Sequence, residues 1–125
     1  MAGSTLNTRP VALHTFGNQT GTTIGIINSF GSTAFAGAPA NPAAFQRVGI
    51  YAVLLTVAAA TGVTVQDTNS VALSQTFLLP ANGSIALDMM SSGDPWWQAG
   101  PGLGIKLVLG TSTTVGFDVY WLAAP

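Results

Sequence analysis

Few side chains in this sequence could take part in catalysis or bind a metal ion. The chain has one histidine, His14, no cysteine, and four acidic residues, all of them aspartate. A catalytic nucleophile or general base needs a second group within hydrogen-bonding distance, and no spacing in the sequence supplies one for His14. The nearest acidic pair, Asp88 and Asp94, lacks the alternating oxygen ligands and the final glutamate of a calcium-binding loop. The sequence therefore predicts a protein that is not an enzyme and has no metal or cofactor.

The adjacent tryptophans Trp96 and Trp97 could bind a ligand, because Asp94 and Gln98 flank them. Aromatic rings beside such polar groups can stack on a sugar ring and orient it, so a carbohydrate-binding module is one interpretation. Tryptophan is also enriched at protein interfaces, and a tryptophan pair can close one end of a β-sandwich. The sequence favours the structural contact, because few other polar groups are local.

The low charge of the chain predicts a protein that works within an assembly. Charged residues make up 6% of the sequence, compared with about 25% in typical soluble domains. Charge keeps free proteins soluble and apart, so a surface this neutral is expected to lie largely against other protein. Three basic residues cannot neutralise the roughly 6–10 phosphates that a nucleic-acid-binding protein contacts, and we expect no nucleic-acid partner.

The hydrophobic segments predict neither a membrane span nor export. The longest nearly apolar run, Val48 to Ala60, falls short of the roughly 17–25 residues that cross a bilayer as a helix. The segment Met1 to Pro10 lacks the basic and apolar regions of a signal peptide. We therefore expect synthesis in a cytoplasm and no membrane contact.

Alternation of apolar and polar residues predicts an all-β fold, either an antiparallel sandwich or a barrel. We interpret it as a single antiparallel β-sandwich that is jelly-roll-like. The clearest strand is Thr114 to Leu122, which places Phe117 and Trp121 on one face with Val115 and Val119. Further strands are predicted at Thr22–Ile27, Arg47–Val57, Val63–Asp67, Val71–Leu79, Ser84–Asp88 and Leu103–Leu109.

Three local patterns predict how these strands connect. Residues 110–113 are short enough to join the last two strands in a β-hairpin. Asn82-Gly83 is a strong hairpin signal between Val71–Leu79 and Ser84–Asp88. Arg47–Val57 is apolar at odd and even positions alike, which predicts a strand that is either central in the sheet or covered by a partner.

Two segments, residues 1–20 and 31–44, lack a core-forming face. The predicted organisation is an extended N-terminal arm over residues 1–20, followed by one sandwich domain over residues 21–125. Long irregular segments of this kind commonly extend over a neighbouring protein. The candidate interface residues in these segments and beside the tryptophans are Arg9, His14, Phe16, Phe35, Pro39, Pro42, Trp96 and Trp97.

Four segments of the C-terminal half follow one another in a recognisable order, Leu78–Ile85, Pro95–Gln98, Gly102–Leu107 and Gly116–Trp121. They supply a strand, a turn of the type Pro-Ala-Asn-Gly-Ser, a tryptophan-containing loop, a Gly-Leu strand and a tyrosine-containing last strand. This order resembles that of small structural proteins of tailed bacteriophages, and such proteins are similar to capsid decoration, or cement, proteins. The resemblance covers residues 71–122.

The resemblance implies a compact β-sandwich that stabilises a phage head. A decoration protein of this kind is commonly a homotrimer that sits on the outer capsid surface at threefold or quasi-threefold positions and bridges neighbouring subunits of the major capsid protein. It implies synthesis in the host cytoplasm, a final location in the virion, and no catalytic residues. A tail or fibre-associated virion module would show the same composition and remains an alternative, as does the carbohydrate-binding module.

Overall fold

In the part of the chain that the computed structural model describes, residues 13–39 and 42–125, all regular structure is β-strand and all pairing is antiparallel. The predicted all-β fold is confirmed. No helix in these two ranges is long and apolar enough to cross a membrane. The strands are β1 (Leu13–Ile27), β2 (Arg47–Val57), β3 (Thr61–Asp67), β4 (Phe77–Leu79), β5 (Ser84–Leu87), β6 (Trp97–Gln98) and β7 (Ile105–Ala124).

The strands form one strongly bent sheet, nearly closed into a barrel, whose two halves pack against each other. The order is β4-β3-β7-β2-β5, with β1 added on β7 and β6 on β2. Residues 115–124 of β7 pair with β2, whereas residues 105–109 pair with β3. β1 follows β7 through both halves, first along residues 13–21 and then along residues 23–27. We call the half that contains β2, β5 and β6 the front layer, and the half that contains β3 and β4 the back layer.

The bend falls at residues 110–113, where a hairpin was predicted, and that prediction is wrong. β7 runs through these residues without turning back. The register of β1 against β7 shifts here, from Gly21 opposite Thr113 to Thr23 opposite Val108. Extra residues on one strand form a bulge, which bends the strand and increases its twist. The glycine and hydroxyl residues that suggested a turn therefore mark the point where the chain passes from one layer to the other.

Threonine side chains satisfy the backbone at this bend. The Thr61 hydroxyl donates to the Thr111 carbonyl oxygen (3.1 Å) and accepts from the Thr111 N–H (3.0 Å). The Ala59 N–H donates to the Thr113 hydroxyl at 2.8 Å. Thr61 and Thr113 are both buried. Since buried backbone groups without partners would destabilise the fold, these threonines stabilise the bend.

The core lies between the two layers. The predicted inward face of the last strand is confirmed, since Val115, Phe117, Val119 and Trp121 are all buried. A void of about 20 Å³ remains and is lined by apolar residues of both layers. It is close to the size of one water molecule and offers that molecule no polar partner. The space between the layers is therefore a packed core and not a ligand cavity.

β2 has the predicted bounds, but its apolar residues do not form two separate faces. Its register against β7 shifts between Ile50 and Ala52, which makes Tyr51 a bulge residue. Inward side chains occupy even positions before the bulge and odd positions after it. One buried face therefore accounts for both sets, whereas the outward Leu54 is 47% exposed. The buried residues are Val48, Ile50, Val53, Leu55 and Val57.

The predicted strand over residues 71–79 forms only at its end, as β4. The chain before it is held in a turn by the carboxylate of Asp67, which accepts hydrogen bonds from the N–H groups of Asn69 and Val71 at 2.8 and 3.0 Å. Asp67 is 4% exposed, so these bonds also satisfy its buried oxygen. The local hydrogen bonds thus compete with strand pairing in this segment.

The predicted Asn-Gly hairpin is wrong in its pairing. A turn is present, since the Gly83 N–H donates to the Pro80 carbonyl oxygen at 2.9 Å and Asn82 has a left-handed φ of 60°. However, β4 pairs with β3 and β5 pairs with β2. The two strands beside the turn therefore join different layers, and the turn lies on the line of the bend.

The predicted boundary of the N-terminal arm at residue 20 is wrong. Residues 13–20 belong to β1 and pair with β7 along their whole length. Their inward positions are occupied by Thr15, Gly17 and Gln19, so no apolar alternation reveals the strand. Pairing with β7 forms it instead. The earlier part of the arm lies outside the described residues.

Candidate interface

The outer surface of the front layer, here called the front face, carries exposed apolar side chains. Directly paired residues of neighbouring strands lie on the same side of a sheet, so the registers define rows across it. Phe16, Asp118, Leu54 and Ala86 follow one another in one row across four strands. Phe16 is 70% exposed, Leu54 47%, and Tyr120 in the next row 39%. These are three of the ten large apolar side chains that are exposed in the described residues, and they lie on adjacent strands. A group of exposed apolar side chains on neighbouring strands is typical of a contact surface.

His14 orders the aromatic side chains of the front face. Its Nε2 atom lies 2.8 Å from a carboxylate oxygen of Asp118. Its ring stacks on Tyr120, with 4.3 Å between centroids and 1° between planes, and its centroid lies 5.0 Å from that of Phe16. The side chains of the His14–Asp118 pair are 35% and 46% exposed, so the pair contributes at most about 1 kcal/mol to stability. Its main effect is to fix the orientation of two exposed aromatic rings.

The His14–Asp118 pair resembles part of a catalytic triad, but it faces aromatic rings. A histidine-carboxylate pair in a hydrolase activates a hydroxyl or thiol that is hydrogen-bonded to the histidine. Within the described ranges, the hydrogen bond of the His14 side chain is to Asp118. The same ranges contain no group of three or more His, Cys, Asp or Glu side chains that could hold a metal ion. What the front face offers a partner is apolar area with a few oriented polar groups.

Two shallow hollows flank Leu54, with volumes of about 230 and 310 Å³. The first is bordered by Phe16 and Thr56, and the second by Tyr120 and Ala86. Ridges and hollows that alternate in this way can receive the side chains of a facing protein. The shape of the front face therefore suits a macromolecular partner better than a small ligand.

The front face continues to a strand edge, here called the β1 edge, which consists of Leu13–Gly21 on the side away from β7. As far as the described residues extend, no strand pairs with this edge. Strand edges with free N–H and C=O groups are sites at which another chain can add a strand. Arg9, one of the predicted interface residues, precedes this strand and lies outside the described residues.

Phe35, Pro39 and Pro42, which were predicted to contact a partner, lie at least partly against their own domain. The ring of Phe35 covers Gly25, where an added Cβ would overlap it. The Asn28 side chain accepts from the Phe35 N–H at 2.9 Å and donates to the Phe35 carbonyl oxygen at 3.1 Å. Phe35 and Pro39 are half-buried, and Pro42 is buried.

Trp96 and Trp97 have different surroundings and do not form one aromatic platform. Trp97 lies in β6 opposite Ile50 and packs against the core, with its ring edge-to-face with Phe77 at 6.1 Å. Trp96 is 37% exposed, and its indole N–H donates to the Asp88 carbonyl oxygen at 2.9 Å. The predicted loop position is therefore wrong for Trp97, and a sugar at this place would find one accessible ring instead of two.

Sequence reasoning identified part of the front face. His14 and Phe16 were predicted interface residues, and the structure brings them together. Leu54 belonged to the predicted strand Arg47–Val57, for which a covering partner was one possibility, but it was not singled out. Asp118 and Tyr120 were assigned to the last strand without a role. The signal that could have identified them is the polar face of the last strand, but its neighbour β1 shows no alternation and could not be placed beside it.

No protein-family model, no curated protein and no solved structure matches the chain. The front face, the β1 edge and the low charge are therefore the features from which a function can be inferred.

Proposed function

We propose that this protein is a structural protein of a bacteriophage virion and acts as a head decoration, or cement, protein. The observation that supports this most is the front face, where Phe16, Leu54 and Tyr120 are exposed on adjacent strands of a chain with 6% charged residues. Proteins that function as free monomers rarely expose large apolar patches and carry more charge. The resemblance of residues 71–122 to phage structural proteins points to the kind of assembly.

The protein reinforces the capsid through contact area. A homo-oligomer bound on the outer surface, across the joint between major capsid protein subunits, touches several subunits at once. Each further contact forms at the high effective concentration that the first contact sets, so weak individual contacts add up to tight attachment. Separating the capsid subunits then requires all of these contacts to break. This mechanism needs no catalytic residue, cofactor, nucleic acid or membrane.

The purified protein is expected to be a homo-oligomer whose mass is a multiple of three chains of 12.7 kDa, as the resemblance to trimeric decoration proteins implies. Size-exclusion chromatography with light scattering measures the mass. We expect little change between low and high salt, because few charges contribute to the contacts and screening therefore has little to weaken. A strict monomer at micromolar concentration would contradict this prediction.

Leu54→Asp is expected to weaken attachment to phage capsids strongly, because it places a charge at the centre of the front face. Leu78→Asp is the matched control, since Leu78 is 85% exposed but lies on β4 in the back layer. Deleting residues 1–12, which precede β1, is expected to weaken attachment as well. Cosedimentation with capsids that lack the protein measures binding, and circular dichroism verifies that each variant is folded.

Binding measurements with capsids, tails and glycans separate the alternative functions. If Leu54→Asp and the truncated protein bind capsids as tightly as the unmodified chain, neither region is the capsid contact. Binding to purified tails and not to heads would favour the tail or fibre-associated module. Binding to a glycan that Trp96→Ala abolishes would favour the carbohydrate-binding module.

A further inference from the structure

The β1 edge has the properties of a strand that another strand can join. Alternate residues of an edge strand direct their N–H and C=O groups outward, and in the described residues these groups of Leu13–Gly21 meet no second strand. Natural proteins usually block such edges with lysine, proline or inward-pointing charges. β1 contains no Lys, Arg, Asp, Glu or Pro. Neither a blocking residue nor like-charge repulsion therefore opposes an incoming strand.

We propose that the β1 edge pairs with the β1 edge of a second copy of this chain, around a two-fold axis at Gly17. Antiparallel pairing of identical strands is isologous, so the same residues serve both copies. Residues that lie opposite each other in a ladder face the same side of the joined sheet. The front-face side chains of β1 are at even positions, so even positions must pair with even positions of the second copy. An axis at Gly17, the midpoint of Leu13–Gly21, uses the whole edge. Phe16 then lies opposite Asn18 of the second copy and diagonal to its Phe16, within reach of aromatic side chains.

The opposite edge of the front layer is a poorer partner for β1. It consists of β5, with four residues, and β6, with two, and residues 88–96 separate these short strands. The β1 edge matches nine consecutive residues of β7 on its paired side. Head-to-tail addition of β1 to the broken edge would leave most of its hydrogen-bonding groups unpaired. A second β1 can satisfy all of them.

The loop nearest the edge carries small side chains where it borders β1. A hollow of about 250 Å³ lies between residues 15–19 of β1 and the loop residues Ala36, Gly37 and Ala38. The side chains of this loop segment are no larger than a methyl group, so an incoming strand meets no bulky or charged group there. Pairing also joins the two front layers into one sheet and places the two front faces side by side.

The inference deepens the proposed function and rests on it only for the biological setting, because strand pairing needs no capsid. A two-fold contact gives an even number of chains. Together with the expected multiple of three chains, it predicts a hexamer in which trimers form through another surface. A dimer would support the pairing and contradict the expected multiple of three.

Cysteine cross-linking tests the pairing directly, because the chain has no cysteine of its own. An equimolar mixture of Phe16→Cys and Asn18→Cys proteins is expected to form intermolecular disulfides under mild oxidation, since opposite Cβ atoms in a ladder are about 4.5–5.5 Å apart and a small adjustment brings them within disulfide reach. Phe45→Cys is the matched control, because Phe45 is 66% exposed and Phe16 is 70% exposed, but Phe45 lies outside the strands.

Phe16→Lys provides a second, independent measurement. It is expected to raise the dissociation constant of the β1 contact at least about tenfold, because lysine is a common blocking residue of natural strand edges. Phe45→Lys is expected to leave the constant unchanged. Analytical ultracentrifugation measures the association, and circular dichroism verifies the fold of both variants.

Cross-linking of the mixture no faster than that of the Phe45→Cys control, or association unaffected by Phe16→Lys, would overturn the pairing. The pairing would also be overturned if the full-length protein is a monomer and cross-links form only after residues 1–12 are deleted. That result would mean that the N-terminal segment of the same chain occupies the edge. Self-association through β1 without capsid binding would contradict the proposed function and support the pairing. Capsid binding by a protein that does not pair through β1 would contradict the pairing alone.

Discussion

Trp121→Ala is expected to lower the free energy of unfolding by about 3–5 kcal/mol. Trp121 is 5% exposed and belongs to the core between the layers. Its indole N–H donates to the Thr15 hydroxyl at 2.9 Å, which ties β1 to β7. Alanine removes this bond and leaves a cavity that the surrounding strands can fill only in part. Chemical unfolding followed by circular dichroism measures the loss.

Trp96→Ala is the matched control for this substitution. Trp96 is 37% exposed, so its loss is expected to change the free energy of unfolding by less than about 1 kcal/mol. Trp97 is partly buried against the core, and Trp97→Ala is expected to give an intermediate value. Equal losses for Trp121→Ala and Trp96→Ala would contradict the assignment of Trp121 to the core and of Trp96 to the surface.

The inward face of β7 could be predicted because alternation of apolar residues is a local property of the sequence. Val115 to Trp121 keep a period of two, and their burial follows it. The bend at residues 110–113 could not be predicted in the same way, since a Gly-Thr-Ser-Thr segment fits a tight turn and a bulge equally well. The hydrogen bonds at the bend join Thr61 and Thr111, which are 50 positions apart, so no local pattern reveals them.

The front face could be predicted only in part, because it depends on the pairing of β1 with β7. His14 and Asp118 form the central contact of the face and are 104 positions apart. The inward positions of β1 near His14 are threonine, glycine and glutamine, so the sequence contains no sign that this segment is a strand. The pairing of this segment with β7 is therefore visible only in the structure.

Because of the bulge at Tyr51, the apolar residues of β2 no longer support the expectation of self-association. From the sequence, the apolar residues of β2 predicted two apolar faces, in a strand that is either central or covered by a partner. The bulge places most of them on a single inward face, and Leu54 remains as the large outward apolar side chain of β2. The expectation of an assembly now depends on the front face and the β1 edge. Leu54 and Phe16 are therefore the side chains whose substitution is expected to weaken assembly most directly.

Gly104→Ala is expected to lower the free energy of unfolding by about 3 kcal/mol or more. Gly104 directly precedes β7, where an added Cβ would overlap the Ile27 carbonyl oxygen and lie 2.6 Å from the Asn28 carbonyl carbon. Both are backbone atoms, which cannot rotate away as the end of a flexible side chain can. Gly104 also accepts a hydrogen bond from the Thr68 N–H (3.1 Å) and donates one to the Thr68 hydroxyl (3.2 Å). Relieving the overlap by moving Gly104 would therefore break contacts with Thr68.

Gly110→Ala is the matched control, because it adds the same methyl group within β7 itself. The nearest atom to a Cβ at Gly110 is the Gly62 backbone nitrogen at 3.8 Å, an ordinary van der Waals contact. The expected change in the free energy of unfolding is within about 0.5 kcal/mol. Chemical unfolding of both variants under the same conditions gives the comparison. Equal stability of the Gly104→Ala and Gly110→Ala proteins would contradict the close approach of Gly104 to the backbone of Ile27 and Asn28.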